Sequence, residues 1–173
     1  MVSSSQLHRF PRPKGLPLSP EVLHELCDVG VPEPFLSFEP TAHLQYLDEN
    51  PSLLIFGTLS RPLGGDLDQH QLFCCLSLPD GHVLDCQRGR DPAVVNASLS
   101  LFRETARAVM SRFPLPLDLD SPEGADEKVA DELESLIASV DPVALSEGGF
   151  WFEFLWDVRI GDYSLGRSNR RLP

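Results

Sequence analysis

Histidine and cysteine residues recur four positions apart in the middle of the chain. His70 and Cys74 form one such pair, and His82 and Cys86 form the other. Imidazole and thiolate are ligands that zinc prefers, and in two paired strands each set would share a face, because side chains alternate with a period of two. The chain has no C-x-x-C and no H-x-x-x-H motif, however, and free cysteine is commonly a small buried hydrophobe. We therefore expect packed thiols, with no metal and no other cofactor.

Motifs for hydrolytic, nucleophilic and phosphate-binding chemistry are missing from the sequence. Zinc deaminases need H-x-E followed by P-C-x-x-C, α/β-hydrolases need G-x-S-x-G, and P-loop enzymes need G-x-x-x-x-G-K-[ST]; none of these occurs here. Cys27 lies one helical turn from His24, but the same face carries Leu23 and Leu26, which favours a core cysteine. We therefore expect no catalytic residues.

Asn96 stands in the stretch VVNASLSLF, residues 94–102, and three roles fit it. Asn96-Ala97-Ser98 matches a glycosylation acceptor, an Asn at the end of an apolar run could bind a ligand, and an Asn before a helix can cap it. Apolar residues recur with helical spacing from Leu99 to Phe113, which favours the cap. Ser98 is the rival cap.

Charge and hydropathy limit the kinds of partner. The net charge is -12 and the sequence pI is about 4.7, so direct binding to nucleic acid is disfavoured. The N-terminus lacks an apolar signal region, and the run LLIF is too short to cross a bilayer. We expect a cytoplasmic protein without a membrane partner, monomeric or weakly dimeric, in which glycosylation of Asn96 has no place.

Chain length, hydrophobic periodicity and turn residues predict one α+β domain. Residues 1–18 are expected to be a loosely ordered Pro-rich arm, residues 19–165 the domain, and residues 166–173 a frayed basic tail. Residues 41–50 fit no single element. The predicted strands are 35–38, 52–59, 72–78, 82–87 and 93–95, and the predicted helices are 19–30, 96–113, 126–140 and 151–161.

The densest charge lies in the last third of the chain. From Asp118 to Asp141 the acids outnumber the bases nine to one, Lys128 being the base. A solvated helix face explains most such clusters, but a strongly negative face also speeds encounter with a basic partner. The candidate partner-binding residues are Asp118, Asp120, Glu123, Asp126, Glu127, Asp131 and Glu134.

Five segments in a fixed order carry a resemblance to a known family. They are LLIFGTL, LFCCLSLPDGHVLDC, VVNASLSLF, VDPVAL and FWFEFLWDVRIGDY, and they reach from about Leu53 to Tyr163. Their order resembles the SUKH superfamily of bacterial immunity proteins, in its fourth family. The Pro-rich arm and the acidic loop at PLPLDLD lie outside these segments.

The resemblance implies a cytoplasmic, non-enzymatic α+β protein of a single domain, with a mixed, mainly antiparallel sheet flanked by helices. It also implies a cognate protein toxin as the partner, often a nuclease or a nucleic-acid deaminase, which the protein binds and neutralises. Two alternatives stay open: an intracellular scaffold or regulatory module on the same fold, and a small metal-dependent enzyme that uses the His/Cys hairpin.

Overall fold

A five-stranded antiparallel sheet carries three longer helices against one of its faces. The structure is a computed structural model that describes residues 6–48, 50–59, 72–87, 90–117 and 121–163. In chain order its elements are β1 (Leu7–His8), α1 (Pro20–Leu23, continued as a π-helix over His24–Val29), β2 (Val31–Pro32), β3 (Phe38–Leu47), β4 (Asn50–Leu59), β5 (Leu72–Ser77), β6 (Val83–Gln87), β7 (Ala93–Asn96), α2 (Leu99–Met110), α3 (Ala125–Val140), a 3₁₀ turn (Pro142–Leu145) and α4 (Phe150–Arg159).

The sheet is a simple meander in which each strand pairs with the next one along the chain. Its order is β3-β4-β5-β6-β7, and every pair is antiparallel. The predicted α+β class is confirmed, although none of the described strands forms the parallel pair that a mixed sheet would contain. Residues 41–50, which fit no single element from the sequence, form most of β3 and the first residue of β4. The strand predicted at 35–38 is only a bridge from Phe35 to Phe38, where β3 begins.

The β5–β6 hairpin follows from its turn residues. Gly81 takes φ of 77°, which a residue without a Cβ adopts readily, and its N–H donates to the carbonyl of Ser77 at 2.8 Å. The Asp80 carboxylate accepts from the backbone N–H of His82 at 3.1 Å. The predicted hairpin is confirmed.

Alternation along β5 gives the sheet two apolar faces. Leu72, Cys74 and Leu76 belong to the main core, which lies between the sheet and the helices. Cys75 belongs to a smaller cluster with Ile55 and Cys86 on the opposite face. Because side chains alternate across a strand, neighbouring residues of β5 are sorted to different sides of the sheet.

Aromatic rings fill the centre of the main core. Phe38 packs edge-on against Phe102 of α2, with ring centroids 5.2 Å apart, and Phe102 in turn contacts Phe56 at 6.0 Å. Gly57 makes room for this packing, because a Cβ at that position would lie 2.3 Å from the ring of Phe38. The sheet and α2 are thus joined through three rings.

The N-terminal segment packs onto the domain where it is described. β1 pairs with β2, and Phe10 is almost completely buried in the main core. The domain boundary predicted at residue 19 stays a prediction, but residues 7–10 contribute to the fold. The predicted tail at residues 166–173 lies outside the described residues.

A buried hydrogen-bond network centred on Asn96 joins β7 to α2, to the end of α3 and to α4. The Asn96 amide nitrogen donates to the Asp141 carboxyl group at 2.8 Å and to the Thr105 hydroxyl at 3.2 Å. Its oxygen accepts from the indole N–H of Trp151 at 3.0 Å. Asp141 also accepts from the backbone N–H groups of Ala97 and Val143. The network therefore ties β7, α2, the end of α3 and α4 to one another.

The prediction that Asn96 caps a helix is wrong. Ser98 is the N-cap of α2, and its hydroxyl accepts from the backbone N–H of Leu101 at 3.2 Å. Asn96 ends β7, is 0% exposed and spends its whole amide on partners inside the protein. Both of its N–H groups and its oxygen therefore serve to hold β7 to the helices.

We predict that Asn96→Ala costs about 3–5 kcal/mol of unfolding free energy, because it leaves buried polar partners without a hydrogen bond, each worth about 1–3 kcal/mol. Ser98→Ala is the matched control and should cost about 1 kcal/mol, the usual value of a cap. Urea unfolding of both variants measures the difference. Equal losses for the two would contradict the central role of Asn96.

Candidate functional site

The cysteines of the hairpin do not converge on a metal site. In the register of β5 and β6, Cys74 lies opposite Asp85, whereas Cys86 lies opposite Phe73. Residues directly opposite each other share a face, so Cys74 and Cys86 point to different sides of the sheet. His70 lies outside the described residues. Within the described ranges, no group of three or more His, Cys, Asp or Glu side chains could hold a metal ion.

The four thiols are buried. A hydrogen bond with Cys86, together with burial, raises the pKa of Cys75, and burial raises the pKa of Cys74 and of Cys27. A thiol with a raised pKa carries little thiolate at neutral pH and is a poor nucleophile. Within the described residues, no hydrogen bond joins Cys27 to His24. The Nδ1 atom of His24 instead lies 3.4 Å from the carboxylate of Asp28.

The candidate acidic residues gather on α3 and at its start, and we call this set the acidic α3 surface. Glu123, Glu127 and Asp131 are exposed, and Asp126 and Glu134 are half-buried. The opposite side of α3 buries Ala130, Leu133 and Ile137 against the core. The two remaining candidates, Asp118 and Asp120, lie outside the described residues.

Arg159 of α4 neutralises part of this surface. Its guanidinium forms ion pairs with Asp131 at 2.9 Å and with Glu134. The hydrogen bond with Glu134, followed by that with Asp131, raises the pKa of Arg159. Arg112 and Lys128 line a shallow groove with Asp131 and Glu132. The middle of α3, around Asp131, is therefore mixed in charge, whereas Glu123 and Glu127 nearer its start lie outside this group of ion pairs.

Asp141 does not belong to the acidic surface, although the sequence counts it with the same run. It is 2% exposed and serves the network around Asn96. A carboxylate surrounded by donors inside the protein adds no charge that a partner could reach. The number of acids along the chain thus overstates the negative charge at the surface.

A second acidic region, which sequence reasoning missed, lies beside α4. A groove of about 740 Å³ lies between α4 and one end of the sheet, where β3 begins, β4 ends and β5 begins, with Asp85 of β6. The carboxylates among its described lining residues are Glu39, Asp85, Glu153, Asp157 and Asp162, and no Lys, Arg or His is among those residues. The acids come from three distant parts of the sequence, so no local run of acidic residues predicts them.

Three large apolar side chains of α4 remain at the surface next to this groove. Phe152 is 40% exposed, Trp156 is 56% exposed and Ile160, just after the helix, is 47% exposed. We call them the α4 ridge. The helix predicted here is confirmed, and its almost continuously apolar sequence leaves these three side chains exposed.

The pKa of Tyr163 reflects its burial and the negative charge in the groove. Burial, followed by the charges of Asp157 and Asp162, raises the pKa of Tyr163 to about 12. Its ring also packs against Phe154 at 5.2 Å and Phe113 at 6.1 Å. Tyr163 is one of the residues that line the groove.

Comparison with protein families gives one match. The family model described as SUKH-4 immunity protein matches residues 4–157. This range includes most of the N-terminal arm and the acidic loop. Neither lies within the five segments that carry the resemblance. Comparisons with curated proteins and with solved structures gave no match. No helix in the described part of the chain is long and apolar enough to span a membrane.

We predict that purified wild-type protein contains far less than one metal ion per chain, and that Cys74→Ser with Cys86→Ser leaves the metal content unchanged. Elemental analysis of both proteins tests this, since a site with thiolate and imidazole ligands should retain its metal through purification. About one zinc or iron per wild-type chain would show that the hairpin binds metal.

We also predict an alkaline loss of stability that depends on Tyr163. Its raised pKa stabilises the folded chain fully below pH of about 10, its ordinary value, and this contribution falls as the pH rises towards about 12. Folded protein keeps the phenolic proton that the unfolded chain releases. Below pH of about 10 the difference between the urea midpoints of wild type and Tyr163→Phe should therefore be constant, and above it the wild type should lose stability relative to the variant. Parallel curves would contradict the assignment.

Proposed function

Because the chain belongs to the SUKH-4 immunity protein family, we propose that it binds and neutralises a polymorphic bacterial toxin by protein–protein contact in the cytoplasm. The family match over most of the chain carries this proposal. The toxin is a nuclease or a nucleic-acid deaminase, and the immunity protein acts by occupying its surface, without catalysis of its own.

The charge of the protein supports this class of partner. An enzyme that acts on nucleic acid must approach a polyanion, so its working cleft is basic. The acidic α3 surface presents Glu123 and Glu127 to solvent, and the whole chain carries a net charge of -12. Opposite potentials on two proteins raise their association rate and select against partners of like charge.

The acids along α3 differ in whether they already form ion pairs with Arg159. Asp131 and Glu134 already pair with Arg159, so a basic partner gains less from them. Glu123 and Glu127 lie outside that ion-pair cluster and remain exposed. We assign to them, with Asp126, Asp118 and Asp120, the main part of the steering.

We predict that Glu123→Lys with Glu127→Lys lowers the association rate constant for the toxin domain encoded beside this gene by about tenfold at low salt, a typical size for electrostatic steering. The salt dependence of that rate constant should weaken, because fewer opposite charges remain to be screened. Surface-binding kinetics at two salt concentrations measure both quantities.

The matched control is Glu104→Lys with Glu147→Lys, which changes the net charge equally at exposed acids outside α3. It should retain most of the wild-type association rate. If the two double variants behave alike, only total charge matters and the acidic α3 surface is not the contact. Absence of binding by the wild-type protein would overturn the proposed function itself.

A further inference from the structure

The α4 ridge is an apolar surface on a helix that otherwise sorts its side chains strictly. Trp151, Phe154, Leu155 and Val158 are buried in the core. Phe152, Trp156 and Ile160 follow one another at intervals of four residues, so they form one stripe on the opposite side. A single exposed apolar residue is ordinary, but a contiguous stripe that includes a large aromatic residue is typical of an interaction surface.

Carboxylates flank the ridge on both sides. At 100° per residue, Glu153 and Asp157 lie on the side of the ridge that faces the groove, and Arg159 lies on the other side. Arg159 links the helix to Asp131 and Glu134 of the acidic α3 surface. The ridge therefore runs between the groove and the acidic α3 surface, and the three form one continuous region.

The groove extends this arrangement below the ridge. Trp156 and Ile160 belong to its wall, and Phe150 and Phe154 form apolar parts of its lining. Glu39 stands on the opposite wall, at the start of β3 and exposed. An apolar cleft bordered by acids, with no cation among its described lining residues, suits an apolar side chain that is accompanied by a positive charge.

We propose that the α4 ridge and the acidic groove form one docking surface for a segment of the toxin that presents an apolar side chain next to lysine or arginine. This inference rests on the proposed function and names the second part of its contact. The acidic α3 surface speeds the encounter, whereas the ridge and groove hold the bound partner.

The two regions should differ in kinetics for a physical reason. Exposed charges act over distance and change the association rate, while a tryptophan that becomes desolvated in the complex slows dissociation. The ridge should therefore dominate the lifetime of the complex. Its removal should leave the approach of the toxin almost unchanged.

We predict that Trp156→Ala raises the dissociation rate constant of the neighbour-encoded toxin domain by about thirtyfold, as expected for a tryptophan hot spot. The fold should survive, because the side chain is 56% exposed in the free protein. Trp156→Phe should restore most of the lifetime. Val143→Ala is the matched control, since Val143 is 42% exposed but does not line the groove.

The charged wall is tested separately. Glu39→Gln with Glu153→Gln should weaken binding several-fold and reduce its salt dependence, whereas Glu147→Gln, an exposed acid outside the groove, should not. Melting temperatures of all variants, measured without toxin, confirm that each one folds.

The outcomes separate this inference from the proposed function. If wild type binds the toxin and Trp156→Ala dissociates at the wild-type rate, the docking surface is wrong and the proposed function stands. If wild type does not bind, both fail. If Trp156→Ala abolishes self-association in sedimentation and leaves toxin dissociation unchanged, the ridge joins two copies of this chain, and the inference is overturned.

Discussion

The hydrogen bonds of one buried amide hold the layers of this fold in register. Asn96 ends the last strand, and its side chain meets α2 through Thr105, the end of α3 through Asp141 and α4 through Trp151. Each of these groups would be costly to bury alone, because a polar group without a partner loses its bonds to water. Together these groups satisfy one another's hydrogen bonds. The helices therefore cover the sheet in the arrangement that brings all of these groups together.

This constraint fixes which side of α4 reaches solvent. Trp151 is held at the first turn by the amide of Asn96, and its ring stacks near Phe35 with centroids 6.0 Å apart. Once that side chain is directed inward, helical geometry places Phe154, Leu155 and Val158 inward as well. Phe152, Trp156 and Ile160 must then face outward. The exposed ridge is thus a geometric consequence of the buried network.

Burial and ion pairing decide which acidic side chains a partner can reach. Asp141 is buried and hydrogen-bonded inside the protein. Asp131 and Glu134 form ion pairs with Arg159. Glu123 and Glu127 are exposed to solvent. Meanwhile the sheet edge and α4 bring further carboxylates together at the groove. A partner meets a charge distribution that differs from the order of charges along the chain. The family match and this distribution both support the proposal that the protein binds a partner through its surface.

Local patterns in the sequence determined the three longer helices and the β5–β6 hairpin, and the tertiary structure decided what the individual polar groups do. The Pro79-Asp80-Gly81 turn and the apolar spacing of α2, α3 and α4 predict those elements, because turns, caps and helical faces depend on neighbours within a few residues. Asn96 was assigned wrongly as a cap for the same reason: its decisive partners, Asp141 and Trp151, lie 45 and 55 residues away. The pairing of Arg159 with α3 and the groove beside α4 also depend on contacts between distant segments, which no local spacing encodes.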